Sequence, residues 1–137
     1  MRKLFTYGSL MCDDIMVHVA GPCRTIGSAR LTDYRCVAVK NEEYPAIFNN
    51  GGYITHGVLY DQISDDGFAR LDEFEGEMYE RRVVAVTLED GSTVETYTYV
   101  FKPEFAHLLT DENWQFEAFL KKGKAAFIEK YVGFTRI

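Results

Sequence analysis

A chain of 137 residues, 47% apolar and 15% aromatic, can bury one hydrophobic core without disulfide or metal staples, so a single domain is expected over residues 1–137. The formal net charge of −6 argues against the Lys- and Arg-rich surface that nucleic acid requires, and it leaves a small molecule as the expected partner.

Taken in order, Arg2 to Tyr7 reads as a short apolar strand that stops at Gly8. A glycine lets the backbone turn where a Cβ would clash, and it leaves the amides of Gly8, Ser9 and Leu10 free to face a ligand. Free amides suit an anion or a carbonyl oxygen, although strand-Gly-Ser is also a common way to leave a sheet. Asp13-Asp14 opens a short helix through His18 or Ala20, with Gly21-Pro22 as its stop signal. Thr25 to Leu31 and Tyr34 to Val39 then read as two strands. Tyr44-Pro45-Ala46-Ile47-Phe48 is a further extended piece, which Pro45 confines to an edge or a bend. Asn49-Asn50-Gly51-Gly52 is expected to form a tight turn before Ile54 to Tyr60 resumes the sheet.

Ser64-Asp65-Asp66 starts a second helix, with Phe68, Leu71, Asp72 and Glu75 at helical spacing and Gly76 at its end. Arg81 to Leu88 and Thr93 to Phe101 flank Glu89-Asp90-Gly91-Ser92 as a hairpin with Asp-Gly at its tip, and Tyr97, Tyr99 and Phe101 share one face. Phe116, Leu120, Phe127 and Tyr131 make an apolar stripe for one or two C-terminal helices interrupted at Gly123. Many short strands with few short helices predict an α+β domain whose mainly antiparallel sheet is closed or strongly curled. A doubly wound parallel sheet would need a crossover helix between Thr25 and Tyr60, where no such pattern exists. No apolar run approaches the roughly 20 residues of a membrane span. Cys12, Cys23 and Cys36 contain no C-x-x-C pair, so a soluble, unprocessed, cytoplasmic protein with reduced thiols is expected.

The stretch Leu71 to Arg82 sets five acids and two arginines around a helix end. At about 100° per residue, Leu71 and Phe74 mark the buried side, Glu75 lies next to it and Glu73 points to solvent. A carboxylate at a helix C-terminus meets the negative end of the dipole, and partial burial would raise its pKa toward that of a useful base. Exposed acids at helix ends are also common. Cys12 with His18 six positions later is an alternative, a thiol nucleophile with an imidazole base. His18, His56 and His107 show no ligand spacing, so no metal site is expected. Tyr97 and Tyr99 read as wall.

Together, the opening strand with Tyr7-Gly8-Ser9-Leu10, the later Tyr44-Pro45-Ala46, and Leu71-Asp72-x-x-Glu75-Gly76-x-x-Tyr79-x-Arg81 resemble the gamma-glutamylcyclotransferase-like family. The likeness is to its AIG2-like and gamma-glutamylamine cyclotransferase branch, across roughly residues 3 to 101. The resemblance implies a small mixed, mainly antiparallel β-barrel with a few peripheral helices, in which the N-terminal loop and the acidic turn line one cavity. It implies Glu75 as the catalytic acid/base, with Tyr7, Gly8, Ser9, Leu10, Tyr79 and Arg81 binding the substrate. The implied substrate is a small gamma-glutamyl compound, whose α-amino group attacks its own γ-carbonyl to give 5-oxoproline and a free amine or amino acid. That chemistry calls for no metal or cofactor, and it leaves oligomeric state open. A catalytically inactive binding module of the same fold is the alternative. Met11-Cys12-Asp13-Asp14 lacks the Trp-containing continuation of the glutathione-degrading relatives, which points away from glutathione, and nothing after Phe101 matches a family motif.

Overall fold

In the computed structural model, which describes residues 2–132 with side chains through 130, five strands close into a barrel. These are β1 (Leu4–Thr6), β2 (Arg24–Val39), β3 (Pro45–Asp61), β4 (Tyr79–Leu88) and β5 (Thr93–Phe101). Around the barrel they run β3-β1-β5-β4-β2, and β2 pairs back onto β3 to close it. The β1–β5 contact, Leu4 opposite Tyr97, is parallel and the other pairings are antiparallel, so the barrel is mixed. A sixth strand, β6 (Leu109–Asn113), extends β2 outside the closed ring.

The period of two in β1 divides the core. Phe5 and Tyr7 point into the barrel with Leu31, Ile47, Leu59, Val86 and Val100, whereas Leu4 packs outward under the helices with Ile15, Met16, Tyr60, Leu71 and Phe101. Helix α1 (Asp13–Ala20) presents Ile15, Met16 and Val19 to that outer layer, and α2 (Asp65–Glu75) presents Phe68 and Leu71. The start of α2 is capped by the Ser64 hydroxyl, which accepts from the Gly67 amide at 2.9 Å, and Asp65 and Asp66 suit the positive end of its dipole. Arg70 ties the two helices together by donating to the Val19 and Ala20 carbonyls at 2.9 and 3.0 Å, which satisfies the open C-terminus of α1.

Two sequence expectations are corrected. The stretches read as four strands between Thr25 and Tyr60 are two long ones, and Asn49-Asn50-Gly51-Gly52 is not a hairpin turn. Thr32 pairs with Ile54 but Tyr34 pairs with Asn49, so the segment 50–53 bulges out opposite Asp33 alone. Asp33, at φ 67°, holds that bulge: its carboxylate accepts from the Gly52 amide at 3.2 Å and its carbonyl from the Asn49 side chain at 3.1 Å. The true β2–β3 turn lies in the segment 40–44. In the C-terminal segment 116–132, short α-helical turns alternate with the π-helical turns Phe119–Gly123 and Ile128–Val132. Their wider winding turns Phe119 and Phe127 inward, each 3% exposed, and leaves Leu120 outside at 44%. The side chain of Tyr131 lies outside the described residues.

Candidate active site

Where β1 ends, the Tyr7 ring enters the barrel and its hydroxyl donates to the Tyr99 carbonyl at 2.7 Å, which anchors the chain just before it turns. A single 3-10 turn, Ser9–Met11, follows, closed by Met11 N–H to the Gly8 carbonyl at 3.0 Å and Cys12 N–H to the Ser9 carbonyl at 3.1 Å. The amides of Gly8, Ser9 and Leu10 make no hydrogen bond among the described residues, and neither does the Ser9 hydroxyl. The glycine is needed because a Cβ would clash, as expected, and the structure identifies what it would meet. Its φ of −133° is not left-handed, and a Cβ there would lie 2.7 and 2.8 Å from Cγ and Cδ of Pro45. Close approach of the Pro45 ring, not backbone handedness, excludes a side chain.

Pro45 is held in place by Tyr79, the first residue of β4, whose hydroxyl donates to the Pro45 carbonyl at 2.7 Å. Glu75 is the last residue of α2, and Gly76, at φ 82°, ends the helix there by adopting a left-handed conformation that other residues resist. Tyr7, Gly8, Ser9, Leu10, Glu75 and Tyr79 line one small cavity of about 30 Å³, together with Tyr44, Pro45 and Tyr99. The carboxyl of Glu75 thus shares a cavity with three unpaired amides.

Burial, first, and the nearby Asp72 carboxylate, second, push the Glu75 pKa up to about 8. The helix dipole invoked from sequence is not needed to explain the direction. Glu75 as a residue is half-buried, with an edge open to the cavity, yet protein surrounds its carboxyl closely enough for desolvation to dominate. Burial also raises the phenol pKa of Tyr7, Tyr79 and Tyr99, with the Glu75 carboxylate adding to each, so all three stay protonated and able to donate.

Arg81 is not on the wall of this cavity. Its Nε lies 3.0 Å from Asp72 Oδ1 and its Nη2 3.1 Å from Oδ2, and the guanidinium covers the rings of Phe68 and Tyr97 at 4.8 and 4.6 Å. The Tyr99 hydroxyl donates to the same Asp72 at 2.7 Å. Asp72 stands three residues before Glu75, one helical turn away, so Arg81 and Tyr99 fix the charge that faces Glu75. Sequence reasoning gave Asp72 no role, although its i, i+3 spacing to Glu75 was a usable signal. The alternative thiol lacks support: Cys12 is 7% exposed, burial raises its pKa, and His18 is on the exposed side of α1. Among the described residues, no three His, Cys, Asp or Glu side chains gather as a metal would require.

Comparison with known proteins agrees with this architecture. The family profile described as gamma-glutamyl cyclotransferase, AIG2-like, matches residues 4–116. AIG2-like protein D of Arabidopsis thaliana is 35% identical over 133 residues, spanning 90% of this chain and 88% of that protein. AIG2-like protein C of the same plant is 32% identical over 126 residues, spanning 91% and 73%. Among solved structures, a gamma-glutamyl cyclotransferase shares the fold with a TM-score of 0.66 at 20% identity, over 78% of this chain and 75% of its own. The solution structure of an Arabidopsis thaliana protein reaches a TM-score of 0.70 at 27% identity, over 95% and 87%. With the family profile matched from β1 through β6, the chain belongs to the AIG2-like gamma-glutamyl cyclotransferase family.

Proposed function

We propose that the protein is a gamma-glutamyl cyclotransferase that releases 5-oxoproline and a free amine by intramolecular attack, with Glu75 as the acid/base. The observation that carries this reading is a buried carboxyl, with its pKa raised to about 8, sharing one cavity with Gly8, Ser9 and Leu10, whose amides make no hydrogen bond among the described residues. An α-ammonium group brought beside Glu75 favours the ionised carboxylate, which then takes one of its protons. The freed amine attacks the γ-carbonyl, the C–N bond of the new ring forms, and negative charge gathers on the carbonyl oxygen. Donors at Gly8, Ser9 and Leu10 suit that oxygen or the substrate's own carboxylate. As the bond to the leaving nitrogen breaks, Glu75 returns the proton to that nitrogen and is restored, and the ring nitrogen gives up its own second hydrogen as a proton that the released amine takes, so the products are 5-oxoproline and an ammonium ion. Holding the glutamyl chain folded removes an entropic barrier that open solution imposes.

The test is to incubate a panel of gamma-glutamyl amines and amino acids with the purified protein and measure 5-oxoproline. Turnover of at least one member is expected. Glu75→Gln, shown to be folded, should lower the rate by about 10² to 10⁴ while binding persists. Glu73→Gln, altering an exposed neighbour on the same helix, should stay near the parent. In the parent, kcat/KM should rise with pH through an ionisation near 8. Saturable binding of the panel without any 5-oxoproline would overturn the enzyme and leave a binding module.

A further inference from the structure

The cavity does not end at Glu75. Beside it lies a second pocket of about 230 Å³ that shares Ser9, Tyr44, Glu75 and Tyr79 with the first and adds Phe74, Gly76, Met78 and Phe127. Its wall is built from rings: Phe74 and Phe127 meet edge to face at 5.9 Å, Tyr44 and Tyr79 at 6.3 Å, and Phe119 backs Phe127 at 5.6 Å. Among the described residues, Glu75 is the one charged side chain in the lining, and no Lys, Arg or His contributes to it. Phe127 comes from beyond residues 4–116, so the chain's C-terminal segment adds one wall to a pocket otherwise lined by the part matched to the family.

We infer that this second pocket receives the departing amine, and that the preferred substrates are gamma-glutamyl amides of amines bearing an uncharged apolar substituent, alkyl or aryl. The inference rests on the cyclotransferase reading above. If Glu75 serves both nitrogens, the glutamyl part lies on the side of the unpaired amides and the substituent of the leaving nitrogen projects from Glu75 the other way. That direction opens into aromatic rings and a methionine. An amino acid as leaving group would carry its α-carboxylate into the same space, where it would be desolvated beside Glu75 with no cation among the described residues to meet it. An alkyl or aryl group instead gains by burial, since each methylene removed from water is worth several-fold in binding.

Gamma-glutamyl-phenethylamide and gamma-glutamyl-phenylalanine differ only by that carboxylate, and gamma-glutamyl-methylamide lacks the apolar substituent. The expected order of kcat/KM for 5-oxoproline release is phenethylamide over phenylalanine by about 100-fold and over methylamide by about 10-fold or more. Met78→Arg, checked for folding by circular dichroism, places a cation in the pocket and should shrink the phenethylamide to phenylalanine ratio at least tenfold. Equal turnover of the three compounds, or an unchanged ratio in folded Met78→Arg, would overturn the pocket assignment and leave the cyclotransferase standing. Calorimetric binding of the same compounds to Glu75→Gln separates the two ideas. A tenfold binding preference for the phenethylamide with no turnover by the parent overturns the cyclotransferase and supports the pocket, and neither turnover nor preference overturns both.

Discussion

At the scale of single residues, Asp72 is the charge that tunes Glu75. It stands one turn before Glu75, clamped by Arg81 and Tyr99, and it raises the Glu75 pKa alongside burial. Asp72→Asn removes that negative charge and leaves the Arg81 cation without its partner, and both changes favour an ionised Glu75. The midpoint of the acid limb of kcat/KM should therefore move down from about 8, toward the ordinary 4.5 without reaching it, because burial remains. A midpoint that stays or rises would remove Asp72 from the acid/base system. Glu75 itself was legible in the sequence, since Leu71 and Phe74 fix the buried side of a short helix and Glu75 borders it. The relation of Arg81 to the cavity was not legible. Tyr79 and Arg81 share a strand face, but two residues along β4 is a step of about 7 Å, enough to carry Arg81 past the cavity to Asp72.

At the scale of elements, the loop after β1 is shaped by an element distant in sequence. Gly8 and the start of β3 approach so closely that Gly8→Ala sets a methyl group against the Pro45 ring, which overpacking makes destabilising by about 1–3 kcal/mol. Tm and 5-oxoproline release should both fall, because the loop and the Tyr79-bound Pro45 segment must part. Adding Pro45→Ala removes the two ring carbons concerned and should restore part of both losses, a coupling that a double-mutant cycle reads directly. A cycle without coupling would show that Gly8 is required for something other than that contact. Helix α2 and the β4–β5 hairpin could be read from local signals, Ser64, Gly76 and Asp90-Gly91, because their ends are set by neighbours in sequence. The Asn49 to Gly52 bulge has the composition of a hairpin turn, and only the bonds from Asp33 on the partner strand make it a bulge. On the C-terminal segment the stripe held at Phe116 and Phe127 and failed at Leu120, where the π-helical turn Phe119–Gly123 breaks the 3.6 period on which it was counted.

At the scale of the whole molecule, the closed barrel was foreseeable from strand count and turn spacing, whereas the parallel contact of β1 with β5 has no local signature. That contact brings β1, and the loop it carries, beside β5 and the end of α2, so the closed barrel is what sets the loop against Glu75. Burial of an acid has a consequence for folding. The unfolded chain releases the Glu75 proton near pH 4.5 while the folded protein holds it until about 8. Over that window the unfolded state binds fewer protons, so the contribution of this group to stability is full below 4.5 and is lost as pH rises to 8. The loss is on the order of 3 kcal/mol, less than the whole shift would give because one edge of the side chain meets solvent. Asp61 and Asp90, whose pKa values fall through bonds to Arg24 and Ser92, act below their ordinary 3.8, and the buried cysteines and tyrosines act above 9, so neither set masks the window. Glu75→Gln abolishes the titration. Urea unfolding of parent and variant at pH 5 and pH 8 should show the variant gaining on the parent at the higher pH. A difference that is the same at both values, or that narrows at pH 8, would mean that Glu75 is not a buried acid held neutral by the closed barrel.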